Sequence, residues 1–417
     1  MKPLTFLLLL FHTIAFSQTN ALSLDSCLQM AKRNFPLIKQ NALIEENRKN
    51  NRSSDNKQWL PKLSFVSNAV YQTETIEIPA FGVTLPHDSY ISTLALEQSL
   101  YDGGQTHAQK RLDQLNSENE LQKNAVEMYR LIDRVTQLYS NILLSRENLK
   151  ILKIYKEDVG NKKAILSASY KNGMALQSNV DALEAEELKA EQSIEEAREN
   201  VSAYYQSLTM FINQPVNDST RLASTPLLNA SKGEEITRPE LKAFETQKAV
   251  WDARHKLNNS AALPRLTVGG QYAYGRPGPN FINQDLRFFG QASVNLKWNI
   301  AALYNLKNEK QNINLNKKMI DVQKEVFEFN LKTTMLSQTA QINSLTTIIE
   351  KDKQIIEKRH NIRLTAAKQL ENGSITSTDY LLELNAEMQA VLNQKVHEVK
   401  LMNAITNYNS SKGINNF

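Results

Sequence analysis

The stretch Phe288-Phe289-Gly290-Gln291-Ala292-Ser293-Val294-Asn295-Leu296-Lys297-Trp298-Asn299-Ile300 decides how this chain is read. Phe288, Ala292, Val294, Leu296, Trp298 and Ile300 alternate with Gln291, Ser293, Asn295, Lys297 and Asn299. Strict period two predicts a strand with one apolar and one polar face. Three weaker stretches repeat the pattern. Leu63, Phe65, Ala69 and Tyr71 stand against Ser64, Asn68 and Gln72, a pattern blurred by Val66 and Ser67; Leu94, Leu96 and Leu100 stand against Thr93, Glu97 and Ser99; Leu266, Val268, Tyr272 and Tyr274 stand against Thr267, Gly269 and Gln271. The strands are expected at about 62–77, 89–101, 265–275 and 286–300, joined in pairs by the Pro-, Gly- and Asn-bearing loops 78–89 and 275–285. A transmembrane barrel and a soluble sandwich both produce such faces; strands this long with aromatic ends fit the barrel.

Between these strands the chain is almost free of helix breakers. No proline occurs from 87 to 214 or from 280 to 417. Between Gly104 and Pro215 the only glycines are Gly160 and Gly173, and between Gly290 and Gly413 the only one is Gly373. Proline costs about 3 kcal/mol and glycine about 1 inside a helix, so very long helices are expected, at about 104–170, 175–212, 302–370 and 376–409. Leu121, Ala125, Met128, Ile132, Val135, Tyr139 and Ile142 follow the 4-3 steps of a coiled-coil seam. A helix from 105 to 170 is roughly 100 Å long at 1.5 Å per residue, a reach suited to spanning a compartment.

Composition removes many alternatives. The 417 residues carry 13 Gly and 11 Pro, about 6% together, half the usual share, which excludes collagen-like and low-complexity chains. The formal net charge of +5 is mild and predicts no nucleic-acid partner. One cysteine excludes disulfide scaffolds and Cys-based zinc sites. The only long apolar run, Leu4 to Phe16, follows Lys2 and precedes Ala15-Phe16-Ser17, so residues 1–17 read as an export signal cut before Gln18. Cys27 shares a helical face with Leu24, Leu28 and Ala31 and is expected to be buried, not lipidated.

The chain also matches itself. Pro36 aligns with Pro239, and Trp59-Leu60-Pro61-Lys62-Leu63 with Ala262-Leu263-Pro264-Arg265-Leu266, both at an offset of 203. The offset becomes 200 at Leu96 with Leu296, Asn172-Gly173 with Asn372-Gly373, and Asn179 with Asp379. Two halves, 18–220 and 221–417, are therefore expected, each running helix, strand, strand, long helix, Asn-Gly turn, long helix. Four strands cannot close a barrel, for which about eight is the usual minimum. Self-association follows, and three copies would supply twelve strands.

These features together resemble the TolC-type outer-membrane efflux proteins: the export signal, Leu22-Ser23-Leu24-Asp25 leading to Asn34-Phe35-Pro36, the Trp59-Leu60-Pro61 strand start, Leu100-Tyr101-Asp102-Gly103-Gly104, the duplicated halves and the two Asn-Gly turns. The resemblance covers essentially the whole mature chain. It implies a mainly α fold with a β-barrel part: a homotrimer whose twelve-stranded outer-membrane barrel, four strands per chain, continues as a long periplasmic α-helical coiled-coil barrel. It implies a passive exit duct for an inner-membrane pump of the RND or ABC type, reached through a periplasmic adaptor (membrane fusion protein), in the outer membrane of a Gram-negative bacterium. By position, Asn172, Gly173, Met174, Asn372, Gly373 and Ser374 become adaptor-contacting tip turns. Asp379, with Glu383 and Asn179, becomes the lumen constriction, a ring of carboxylates in three copies. Leu94, Leu96, Val294, Leu296 and Trp298 become lipid-facing strand residues. Three departures stand out: the first half has Asn179 where an acidic residue could sit, Ile375 replaces a basic residue that helps hold some members shut, and Ala301-Ala302-Leu303 stands where the first half has Asp-Gly-Gly, which predicts a more helical junction.

No catalytic or cofactor chemistry is legible. The histidines at 12, 87, 107, 255, 360 and 397 form no HExxH, and GxxxxGK[ST], GxGxxG and GxSxG are absent. Neither a metal site nor an enzyme is expected. The competing reading is a soluble periplasmic coiled-coil adaptor or scaffold, which accounts for the helices but not for four two-faced strands.

Overall fold

A computed structural model describes residues 21–223, 235–280 and 282–414. The stretch 1–17 expected as an export signal and the terminal Phe417 lie outside the described residues. Helices dominate: α1 Leu24–Asn34, α2 Leu37–Lys57, α3 Gln105–Tyr129, α4 Leu131–Lys171, α5 Gln177–Ile212, α6 Pro239–Ala261, α7 Ala302–Glu371 and α8 Ser377–Lys412. The strands are β1 Lys62–Tyr71, the short β2 Glu77–Ile78 and β3 Val83–Thr84, β4 Asp88–Tyr101, β5 Arg265–Arg276 and β6 Arg287–Lys297. The markers Pro36 and Pro239 both stand at helix starts, and Pro61 and Pro264 both immediately precede a strand. The chain forms two compact units. One draws on segments up to Phe35, Arg130–Ile236 and from Thr333 onward; the other comprises Pro36–Tyr129 and Thr237–Lys332.

The second unit holds the sheet, an antiparallel ladder in the order β1-β4-β5-β6. Register carries the alternation across all four strands. Phe65 faces Leu94, Leu94 faces Tyr272, and Tyr272 faces Gly290; one step along, Leu63 faces Leu96, Leu96 faces Gly270, and Gly270 faces Ala292. The opposite face carries Ser64, Gln271 and Gln291, then Lys62, Glu97 and Ser293. The apolar face is uncovered: Leu63 is 67% exposed, Phe65 68%, Val294 72% and Leu296 70%. Two serines on it, Ser67 and Ser92, hydrogen-bond each other at 2.8 Å. Aromatic rings gather at its ends, with Tyr272 and Tyr274 packed on Phe288 at one and Trp59 and Tyr101 at the other. Among the described residues, neither the outer edge of β1 nor that of β6 is paired.

Helices α2, α3 and α6 lead into and out of this sheet. Asp102 caps α3, its carboxylate accepting from Gly104 N and Thr106 N at 2.8 Å each. Burial raises its carboxyl, but the Thr106 and Gly104 hydrogen bonds outweigh that and hold it below the usual carboxylate range. Gly103, at φ +70°, is pressed so closely against Leu263 and Ser260 that a Cβ would stand 2.9 Å from each. Leu112 and Leu115 of α3 pack on Ala253 of α6, and Asn124 donates to Asn41 of α2 at 2.9 Å.

In the first unit, α1 is capped by Ser23, which accepts from Ser26 N at 3.1 Å. Cys27 is fully buried there, and burial pushes its thiol up to about 12. Asn34 donates to the last carbonyl of α5, Ile212 O, at 2.6 Å. Tyr155, Val159 and Leu166 of α4, Val180 and Leu183 of α5, Ala366 and Leu370 of α7, and Tyr380 and Leu384 of α8 share one core.

Three elements differ from the sequence reading. The helix expected over 104–170 is two, α3 and α4, interrupted at Arg130. That break falls on the boundary between the two units, and no proline or glycine lies near it to announce it. The strand expected to reach 77 ends at Tyr71, and the separate hairpin β2–β3 follows. The strand expected to reach 300 ends at Lys297, because its partner β5 begins opposite it at Arg265. Trp298 thus lies beyond the ladder, and its indole donates to Ala262 O at 3.0 Å. From there, two i→i+3 turns, Ala302 N to Asn299 O and Leu303 N to Ile300 O, lead into α7. The 70 residues of α7 make about 105 Å of uninterrupted helix.

Candidate functional site

The two Asn-Gly turns are built alike. Gly173 has φ +72° and Gly373 φ +69°, the left-handed region in which glycine avoids the Cβ penalty. Met174 N donates to Ser169 O at 2.9 Å, and Ser374 N to Gln369 O at 2.8 Å. These six-to-one bonds are Schellman closures that satisfy carbonyls left over at the ends of α4 and α7. Asn172, Gly173, Met174, Asn372, Gly373 and Ser374 are all exposed, Met174 at 72%.

The helices after the two turns start differently. Helix α5 begins after Leu176 with no side-chain cap. Helix α8 begins with a capping box: Thr376 Oγ1 accepts from Asp379 N at 3.2 Å, while Asp379 Oδ2 accepts from Thr376 N at 2.9 Å and from the Thr376 hydroxyl at 2.7 Å. The Thr376 hydroxyl first, and its backbone N–H second, hold the exposed Asp379 carboxyl below the usual carboxylate range. The expected trio is therefore brought together only in part. Asp379 and Glu383 share the wall of an open groove of about 490 Å³ between α7 and α8 with Ile362 and Ile375. Asn179, half-buried, turns toward the start of α8, its Oδ1 accepting from Ser377 N at 3.4 Å.

Behind this groove lies a set of polar pairs that the sequence reading treated as solvated helix faces. Arg359 donates to Glu383 at 3.2 Å, His360 Nδ1 pairs with Glu387 at 2.7 Å, and Arg363 pairs with the other Glu387 oxygen. Asp158 of α4 stands 3.9 Å from Arg363. Burial disfavours the Arg363 charge, but Glu387, Tyr380 and Asp158 outweigh it and raise its pKa. A second pair, His397 to Asp352 at 2.7 Å, ties α8 to α7 further along. One sequence signal was available: Arg359-x3-Arg363 and Glu383-x3-Glu387 flank the turn at helical spacing, as an antiparallel hairpin requires. Among the described residues no group of His, Cys, Asp and Glu is placed to hold a metal.

Comparison with known proteins agrees with this architecture. Residues 27–214 match the family described as outer membrane efflux protein. No curated protein sequence matches the chain. Among solved structures, the outer-membrane channel OprN is similar at TM-score 0.68 and 14% identity, covering 94% of this chain and 90% of its own. The CmeC outer membrane channel of Campylobacter jejuni is similar at 0.67 and 15%, covering 94% and 85%. The outer membrane protein VceC of Vibrio cholerae is similar at 0.69 and 12%, covering 94% and 97%. Residues 27–214 thus match the outer membrane efflux protein family by sequence, and over nearly its whole length the chain shares the fold of these outer-membrane channel structures.

Proposed function

We propose that this chain is one subunit of a trimeric outer-membrane exit duct. The observation that carries the reading is the sheet: four strands, an exposed apolar face, a polar opposite face and two edges unpaired among the described residues. An open edge in lipid leaves backbone groups unsatisfied at several kcal/mol each, so a spanning sheet must close. Twelve strands from three copies close it. The eleven residues of β6 extend about 36 Å, and a tilt near 45° brings that to the height of a membrane barrel's apolar band, about 25 Å. No described helix is long and apolar enough to cross a membrane; the helices form the periplasmic continuation.

An exposed stripe on α7 supports association in the same way. Leu315, Met319, Val322, Val326, Phe329 and Leu336 recur at heptad steps and are 50–72% exposed, a seam suited to a neighbouring helix. The recurrent element order and its matched proline and Asn-Gly markers support a duplicated chain, 18–220 and 221–417. The exposed Asn-Gly turns are the surfaces offered to a periplasmic adaptor, and the duct passes substrates delivered by an inner-membrane pump without driving them. Asp379, Glu383 and Asn179 form the constriction, where three copies of Asp379 favour cations. The test is single-channel conductance of the purified protein in planar bilayers. A stable conductance blocked by multivalent cations, with block weakened in Asp379→Ala, is expected; no conductance overturns the duct, and unchanged block overturns the Asp379 ring.

A further inference from the structure

Just beyond the helix-side end of the sheet, α2 and α3 enclose a pocket of about 360 Å³. Gln58, at the end of α2, and Thr106, at the start of α3, meet at 3.3 Å. At 1.5 Å per residue, Asp55 lies about 5 Å and Arg48 about 15 Å further from the sheet. Five cations line the pocket, Arg48, Lys49, Arg52, Lys110 and Arg111, against two carboxylates, Asp55 and Asp113. Arg48 is engaged by Glu45 at 2.7 Å; the other four make no ion pair with any described residue. Assembled like charges of this kind call for an anion with several acceptor oxygens.

The second observation is Asp55. It is only 5% exposed, and its Oδ2 has no hydrogen-bond partner. A buried carboxylate oxygen without a donor is costly, and burial first, then Asp113, raises this carboxyl against the pull of Lys110. The pocket therefore presents two complementary features, cations suited to an anion and, on Asp55, a buried acceptor oxygen suited to an N–H donor. A bilayer's interfacial layer extends about 5–7 Å beyond its hydrocarbon core, so the proposed membrane position of the sheet brings headgroups toward the Asp55 end of the pocket, the end nearer the sheet.

We propose that the α2–α3 pocket binds a phosphate–ammonium headgroup of the phosphoethanolamine type, with the phosphate on the Arg52–Lys110 side and the ammonium donating to Asp55. The chemistry of the pocket does not depend on the exit-duct reading; only a membrane source for the headgroup does. The test uses the delipidated, detergent-purified full chain and native mass spectrometry. Its probes are dihexanoyl phosphatidylethanolamine, dihexanoyl phosphatidylcholine, water-soluble glycerophosphoethanolamine and inorganic phosphate.

A quaternary choline has no N–H to offer Asp55, so the ethanolamine lipid should be retained about tenfold better than the choline lipid. Asp55→Asn, which keeps one acceptor oxygen but loses the charge, should reduce that preference while leaving phosphate-dependent retention. The double variant Arg52→Ala/Lys110→Ala should lower retention of every phosphate probe by about tenfold or more. Equal capture of glycerophosphoethanolamine and the ethanolamine lipid makes the headgroup alone sufficient; capture of the lipid only makes the membrane the source. Equal retention of ethanolamine and choline lipids by the wild-type protein, a comparison that needs no variant, overturns the proposal. So does retention unaffected by the double variant.

Discussion

Replacing Val294 with lysine tests whether the exposed apolar face of the sheet meets lipid. Val294 is 72% exposed and pairs with Val268 on the apolar face; its neighbour Asn295 pairs with Thr267 and points the other way. The middle of β6 is Ala292, so Val294 lies about 7 Å along the strand from that point. Lysine costs about 2–4 kcal/mol at the bilayer midplane and less toward the interface; about 2 kcal/mol per subunit is expected, roughly a thirtyfold shift in the folding equilibrium. Asn295→Lys changes the polar face of the same strand and should stay within about 0.5 kcal/mol. Urea titration of folding into lipid vesicles, read by protection of the strands from protease, measures both variants. Equal midpoints for the two lysines, or a larger loss for Asn295→Lys, would refute the assignment of faces.

Three further outcomes follow from the geometry. Gly103→Ala and Gly104→Ala both place alanine at positive φ, but a Cβ at Gly104 meets nothing within 4 Å whereas at Gly103 it collides with Leu263 and Ser260; Gly104→Ala should cost about 1 kcal/mol and Gly103→Ala about 1–3 kcal/mol more, compared by thermal loss of helical circular dichroism in detergent. Cys27, fully buried with its thiol raised by burial to about 12, should resist maleimide in the folded protein at neutral pH and label within minutes in denaturant; rapid labelling of the native state would place the cysteine on the surface. Arg363→Met leaves Glu387 with His360 as its remaining partner and should cost about 2 kcal/mol, a buried-pair loss reduced for its partial exposure, and that cost should shrink when Glu387→Gln is already present.

The parts of this fold that are periodic or local were legible in the sequence. Alternation around Val294 and Leu296 marked β6 and its faces, the absence of breakers marked the 70 residues of α7, and Asn172-Gly173 and Asn372-Gly373 marked the left-handed turns. Long-range packing was not legible. The β4–β5 pairing, Leu94 to Tyr272 and Leu96 to Gly270, joins the two halves of the chain across the sheet, and no local pattern announces it. The break at Arg130 lacks a proline or glycine, and Trp298 continues the alternation past the point where a partner strand exists.

The site shows the same division. Asp379 looked like an acidic residue near a helix start, and Thr376-Ser377-Thr378-Asp379 carries the spacing of a capping box that the structure then displays. The Arg363–Glu387–Asp158 group needed the hairpin register to bring it together. Asp55 needed the packing of α2 on α3 to become a buried, unpartnered carboxylate.

The measurement that bears most directly on the duct is the native mass of the protein extracted from an outer-membrane fraction. The chain without the expected export signal 1–17 has a mass of roughly 45 kDa, and closure of the proposed twelve-stranded sheet requires three such chains. A particle of three chains, after subtraction of detergent, is the predicted result. A water-soluble monomer released without detergent would contradict it, because the uncovered face of Leu63, Phe65, Val294 and Leu296 would then have no lipid to meet.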